Sequence, residues 1–257
     1  MTYDNSYPNL LMRSLFLFIL VLALTPLSAQ ITSGTIDYNE SYSFDFGDWM
    51  SADRKKEMEA RMAAGEFDRT GRLTFSKEAF SYSQLKKENA GQGSWWSRGQ
   101  ENPDIFYTNM MDSTVTDRRQ VMDRSFIMQD EWIIPEWNIA NMKVGRKEIP
   151  LPNQLATAIS IEGDTLMAYF TPSIPLSIGP RGYGGLPGAI VYLKVVRDGR
   201  TTEYTMTTMQ PNLPDLVVEK PDDADVIDRD EFEKNMKRAT EAMARRRRGW
   251  ERRRGGR

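Results

Sequence analysis

The sequence predicts a mainly β fold of α+β type: a curved antiparallel sheet or half-barrel, one short helix near the N-terminus, and a C-terminal helical, basic extension. Three observations carry this. Short segments alternate polar and apolar residues at period two. Glycine-containing turns separate several of them, Arg197-Asp198-Gly199-Arg200 being the clearest. The intervening stretches are too poor in helix to serve as parallel crossovers.

The chain of 257 residues opens with an export signature. Met12-Arg13 is a positive start, Leu15–Leu24 an unbroken apolar run, and Leu27-Ser28-Ala29 ends in a small residue after Pro26. The run is about half of the roughly 20 residues a spanning helix needs. Residues 1–29 are therefore expected to be a signal peptide, with Met12 as its true start and Gln30 as the first mature residue. The expected domain covers 30–216, and 217–257 is an acidic linker, a marginal helix and an arginine-rich tail.

Thr35–Phe46 places Ile36, Tyr38, Tyr42, Phe44 and Phe46 on one face of a long strand. Ser51–Ala64 reads as a helix capped by Ser51 and ended by Gly65, with Met58 and Met62 stacked. Strands follow at 72–75, 79–83, 105–108, 113–116, 120–122 and 125–128. A polar loop over 86–103 holds Trp95-Trp96, expected to fold over a core edge. In the second half, 156–161 and 165–170 flank Glu162-Gly163-Asp164, while 189–196 and 201–209 flank Asp198-Gly199. Phe232, Met236 and Met243 form a thin apolar stripe over 228–248.

Composition narrows the chemistry. Cysteine and histidine are both absent. Disulfides, thiol nucleophiles and an acylated lipoprotein anchor are excluded, as are Ser-His-Asp hydrolysis and the usual His or Cys metal sites. No metal site and no cofactor is expected. The acidic run 222–225 fails as an EF-hand, because Asp228 and Lys234 stand where glycine and glutamate are needed. Ser83–Lys86 matches S-x-x-K without its companion motifs.

The net charge of −2 conceals an asymmetry. Residues 237–257 carry ten Lys/Arg against two Glu. Arg245, Arg246, Arg247, Arg248, Trp250, Arg252, Arg253 and Arg254 are the candidate contacts with an anionic membrane or lipopolysaccharide, the alternative being a solvated tail. No nucleic-acid partner is expected of an exported chain.

The most unusual segment is Phe170–Ile190, with five glycines and four prolines between two strands. That mixture specifies a rigid loop. It reads either as a packed seal on the sheet or as a binding rim, with Arg181 and Tyr183 reaching out and Gly185, Leu186, Pro187 and Gly188 as further candidate ligand- or partner-binding residues. The run Gly185-Leu186-Pro187-Gly188-Ala189-Ile190 resembles the signature of the GLPGLI family of exported Bacteroidetes proteins, with alanine in place of the usual leucine. Ala168–Pro172 and Gly179–Gly184 resemble the family's approach to that motif. The resemblance implies an envelope protein of unknown function and supplies no catalytic residues. Many members carry a cysteine shortly before the position of Ala156, and this chain has none.

These readings converge on an exported protein, periplasmic or extracellular, that binds a ligand, lipid or envelope partner without catalysis. An apolar concave face lined by Tyr38, Tyr42, Phe44 and Tyr204 would suit a carrier. Alternatives are a carboxylate-dependent enzyme acting on cell-wall or polysaccharide material and tail-mediated binding to anionic surfaces.

Overall fold

A computed structural model describes residues 30–44, 46–47, 50–86, 103–140 and 145–254, with side chains as far as Arg245. The expected signal peptide and Trp95-Trp96 lie outside these residues.

Among the described residues, twelve strands form one open, curved sheet. They are β1 (Gly34–Phe44), β2 (Arg69–Phe75), β3 (Ala79–Gln84), β4 (Ile105–Asn109), β5 (Thr114–Val121), β6 (Arg124–Glu131), β7 (Asn138–Ile139), β8 (Gln154–Ile159), β9 (Thr165–Thr171), β10 (Ala189–Arg197), β11 (Arg200–Pro211) and β12 (Asp225–Val226). Helix α1 spans Ala52–Ala63 and α2 spans Arg229–Arg254. The strand order is β12-β6-β5-β4-β3-β2-β1-β11-β10-β9-β8-β7. The chain thus begins mid-sheet, meanders outward to β6, crosses to the opposite edge at β7, and returns to close β11 against β1. Every pairing is antiparallel except the short β12–β6 contact.

Local chemistry explains the tight turns. Asp198 and Gly199 both take positive φ (46° and 72°), so Arg197 and Arg200 pair across a two-residue loop. Gly65, at φ 71°, ends α1, and its amide donates to the Met62 carbonyl at 2.9 Å.

The core lies on the inner face. Ile36 and Tyr38 of β1, Leu73 and Phe75 of β2, Phe80 and Tyr82 of β3, Ile190 and Leu193 of β10 and Tyr204 of β11 pack there. They are covered by Ile174, Ile178 and Leu186 of the loop after β9. This loop, 172–188, carries a 3-10 turn, Pro180–Gly182, across the face to β2, β3 and β4. A second segment, Trp132–Trp137, joins the two edges of the sheet and packs against the same core.

Several expectations are corrected. The stretches expected as separate strands at 113–116 and 120–122 are one strand, β5, held in unbroken register with β6 from Thr114 to Val121. β1 stops at Phe44, so Phe46 is buried beyond the strand. The Ser51 side chain makes no cap hydrogen bond. The stretch read as an acidic linker contributes β12. Phe232 and Ala239 of α2 are buried against Val121 and Phe126, so the thin apolar stripe docks on β5 and β6. Among the described residues no helix is long and apolar enough to cross a membrane.

Candidate ligand-binding site

Loop 172–188 is held down by the 132–137 strap. Trp132 Nε1 donates to the Gly182 carbonyl at 2.9 Å, and Trp137 Nε1 donates to that of Gly184 at 2.8 Å. The glycines are needed where the strap passes. A Cβ on Gly184 would meet Trp132 Cζ2 at 2.5 Å, and one on Gly185 would meet Ile134 Cγ2 at 2.0 Å. Clasped in this way, the loop holds Arg181 in the left-handed region (φ 53°, ψ 34°). A non-glycine residue there costs on the order of 1–3 kcal/mol and persists only when its surroundings enforce it.

Below Arg181 lies a buried carboxylate. Glu40 of β1 is 0% exposed. One of its oxygens accepts from the Tyr82 hydroxyl; the other accepts from the Tyr42 hydroxyl and from Gln84 Nε2, the last at 2.6 Å. Gln84 is in turn held by Arg69 Nη1 at 2.9 Å. Tyr204, directly opposite Glu40 in the β1–β11 register, stacks edge-on to Tyr82 with centroids 6.1 Å apart. Gly71 makes the cluster possible: a Cβ there would lie 1.9 Å from Tyr82 Oη and 2.9 Å from Glu40 Oε1. Burial and the Glu40 charge push the Tyr42 and Tyr82 hydroxyls far above the usual phenol range, so both stay protonated as donors.

The Arg181 guanidinium hydrogen-bonds Tyr204 and stands 4.5 Å over the Phe106 ring centroid. Phe106 pairs with Asp117 across β4 and β5, and the Arg119 guanidinium stands 5.1 Å from the centroid of the same ring. Burial raises the Asp117 carboxyl to about 6, against the pull of Arg119, Arg181 and Arg229. Arg119 is committed to Asp104 (3.1 Å) and Arg229 to Asp130 (2.7 Å). Among the described residues, neither Arg181 nor Asp117 takes part in an ion pair. The buried Thr108 hydroxyl, also unpartnered, lies close beneath Gly182.

The residues singled out from the sequence divide. Arg181 and Tyr183 point inward, and burial pushes the Tyr183 hydroxyl up to about 12. Gly185 and Pro187 are exposed. Leu186, read as part of a rim, is instead a core residue at 2% exposure. Gly188, read likewise, backs onto the Thr171 carbonyl, where a Cβ would come within 2.2 Å. The expected open apolar face is also corrected: Tyr38 and Tyr204 are sealed beneath the loop, and Phe44 is exposed at the strand end. In the basic extension, Arg245 is exposed and pairs with Glu241 at 3.8 Å. Positions 246, 247, 248, 250, 252, 253 and 254 continue the α2 backbone. Glu40, Gly71, Tyr82 and Asp117 were not foreseen. The one signal for Glu40 was a charge at the period-two position between Tyr38 and Tyr42. Among the described residues no three acidic side chains converge to hold a metal.

A family model described as a protein of unknown function (Porph_ging) matches residues 96–192. That range covers fewer than half the residues but includes Phe106, Asp117, the strap and the whole 172–188 loop. No curated protein matches. The chain is similar to two solved structures of PNGF-II. The one in space group C2 has a TM-score of 0.51 and 13% identity, covering 80% of this chain and 33% of that one. The one in P21 has a TM-score of 0.51 and 12% identity, covering 80% and 34%. This chain therefore spans about a third of PNGF-II, and the likeness is one of fold.

Proposed function

We propose that this is an exported envelope protein that binds a ligand without catalysis, at Arg181 on the inner face of the sheet. One observation carries the reading. A guanidinium is held by a strained backbone over an aromatic floor, bonded to Tyr204 and attracted by the buried Glu40, but with no carboxylate in ion-pair contact among the described residues. Strain of this kind gathers where a ligand is held, and an acceptor group on a ligand would complete the guanidinium's hydrogen bonding. Glu40, closed off and saturated with donors, is a support for this site rather than one half of a catalytic carboxylate pair. The likeness of Gly185–Ile190 to the GLPGLI signature supports the same reading, since the motif belongs to the loop that presents Arg181. Export rests on residues 1–29, and intact-mass measurement of the secreted product should give an N-terminus at Gln30.

Native mass spectrometry of the purified protein tests the binding reading. A co-purifying small molecule is expected, and it should be lost in Arg181→Gln. An identical spectrum from the variant would overturn the assignment.

The basic extension supports a second reading, contact with anionic surfaces. Helix α2 runs to Arg254, well past Ala239, its last buried position among those whose side chains are described. Sedimentation with vesicles containing phosphatidylglycerol, with and without residues 245–257, tests it. Association that is independent of the tail and of salt would refute it.

A further inference from the structure

Helix α2 is only half fitted to the sheet. Phe232, Met236, Ala239 and Met243 follow one another at helical spacing, so their positions form one narrow apolar stripe. Phe232 and Ala239 are buried against Val121 and Phe126. Met236 and Met243 are 40% and 56% exposed, while Asn235 and Ala242 take half-buried places. One flank of the stripe is thus left in water. The polar ties to the body of the protein gather at the start of the helix, where Arg229 pairs with Asp130 at 2.7 Å and with Glu162 at 3.8 Å. Beyond Phe232, the side-chain hydrogen bonds and ion pairs among the described residues stay within the helix: Thr240 donates to the Met236 carbonyl, and Arg245 pairs with Glu241. An element held by so few buried contacts opens locally at lower cost than the domain unfolds.

Charge is unevenly distributed along the helix. Residues 229–241 carry four basic and four acidic side chains, and residues 242–254 carry seven basic and one acidic. The half that docks is neutral, and the half that runs past the sheet is strongly cationic. Anionic headgroups answer that charge, and the acyl layer beneath them accepts the methionines. A polyanion without an apolar phase would answer the arginines and leave the methionines in water.

Resting on the anionic-surface reading above, we propose that α2 has two alternative seats, the β5–β6 face and an anionic lipid bilayer. The same stripe serves both, so the seats exclude one another. The sheet buries two of its four apolar side chains, and the bilayer takes all four. A bilayer that holds only the undocked helix draws the population towards that state. The change reaches the inner face. The Arg119 guanidinium stands 5.6 Å from the Phe232 ring centroid and 5.1 Å from that of Phe106, the ring beneath Arg181. Transfer of α2 removes Phe232 from Arg119 and uncovers Val121 and Phe126.

The chain has no cysteine, so spin labels at Met122→Cys, in the β5–β6 turn, and Glu241→Cys, on α2, report the seat without background. Both positions are exposed. The secreted product in solution should give one label-to-label distance. Vesicles containing phosphatidylglycerol should replace it with a longer, broader one, and vesicles of phosphatidylcholine alone should leave it as it was. In an unlabelled variant, Met236→Glu with Met243→Glu should leave the thermal midpoint close to unchanged, since both side chains are exposed in the docked seat, and should weaken binding to the anionic vesicles about tenfold or more. Vesicle binding with an unchanged label distance, or binding undiminished in the methionine variant, would overturn the two-seat proposal and leave adhesion by the arginines alone. If the protein does not associate with anionic vesicles at all, the proposal and the anionic-surface reading both fail.

Discussion

The indole of Trp132 donates its hydrogen bond to the carbonyl of Gly182, the residue next to Arg181, across 50 residues of sequence. The same ring stacks edge-on to Phe80 of β3 with centroids 5.8 Å apart. One side chain thus ties the edge-to-edge strap, the sheet and the loop that carries the candidate site. Trp132→Phe keeps an aromatic ring and removes the donor, leaving a carbonyl short of a partner. It should cost about 1–2 kcal/mol, read as a lower urea midpoint with an unchanged slope.

Gly71 occupies the middle of a strand, where glycine is ordinarily a weakness. Here it leaves room for the Tyr82 hydroxyl and the Glu40 carboxylate, and Tyr82 is 1% exposed and cannot withdraw. Gly71→Ala should lower stability by roughly 1–3 kcal/mol, as overpacking does in close-packed cores. Thermal denaturation checks this; an unchanged or raised midpoint would contradict the packing described.

Glu40→Ala removes the acceptor for Tyr82 and Gln84 while leaving their polar atoms buried. The expected loss is about 2–4 kcal/mol, from unsatisfied donors added to a cavity. Glu40→Gln retains one acceptor oxygen and should cost less. Chemical denaturation of the two variants side by side gives the ordering.

Asp117 links stability to pH. Its folded carboxyl titrates at about 6, above its ordinary value of 3.8. The folded state therefore binds the proton more tightly than the unfolded state does. The contribution is fully present below pH 3.8 and is lost as pH rises through about 6. Asp117→Asn should raise stability at pH 7 by roughly 1–3 kcal/mol, with the gain vanishing below about pH 4. Unfolding curves of both proteins from pH 4 to pH 8 read the crossover, and a pH-independent difference would contradict it.

Phe232 fastens α2 to the sheet beside Val121 and Phe126. Phe232→Ala should destabilise by about 3 kcal/mol. Removing residues 245–257 should leave the thermal midpoint unchanged, because the buried anchors of α2, Phe232 and Ala239, precede the cut.

The sequence by itself determined most of the longer strands, the two-residue turn at Asp198-Gly199 and the fold class, because alternation and turn chemistry are local; it divided β5 in two and did not show the two-residue strands β7 and β12. It also marked Phe170–Ile190 as rigid, since proline and glycine act on their own backbone. It did not reveal that Arg181 stands over the Phe106 ring. That contact joins residues 75 positions apart, and it exists because the loop after β9 crosses the sheet to β4. Nor could alternation alone say that Glu40 is buried on an apolar face. Its burial depends on hydroxyl and amide donors from β1 and β3 and on the absent side chain of Gly71 in β2. Periodicity assigns a residue to a face. Only the tertiary structure supplies the partners that let a charge stay there.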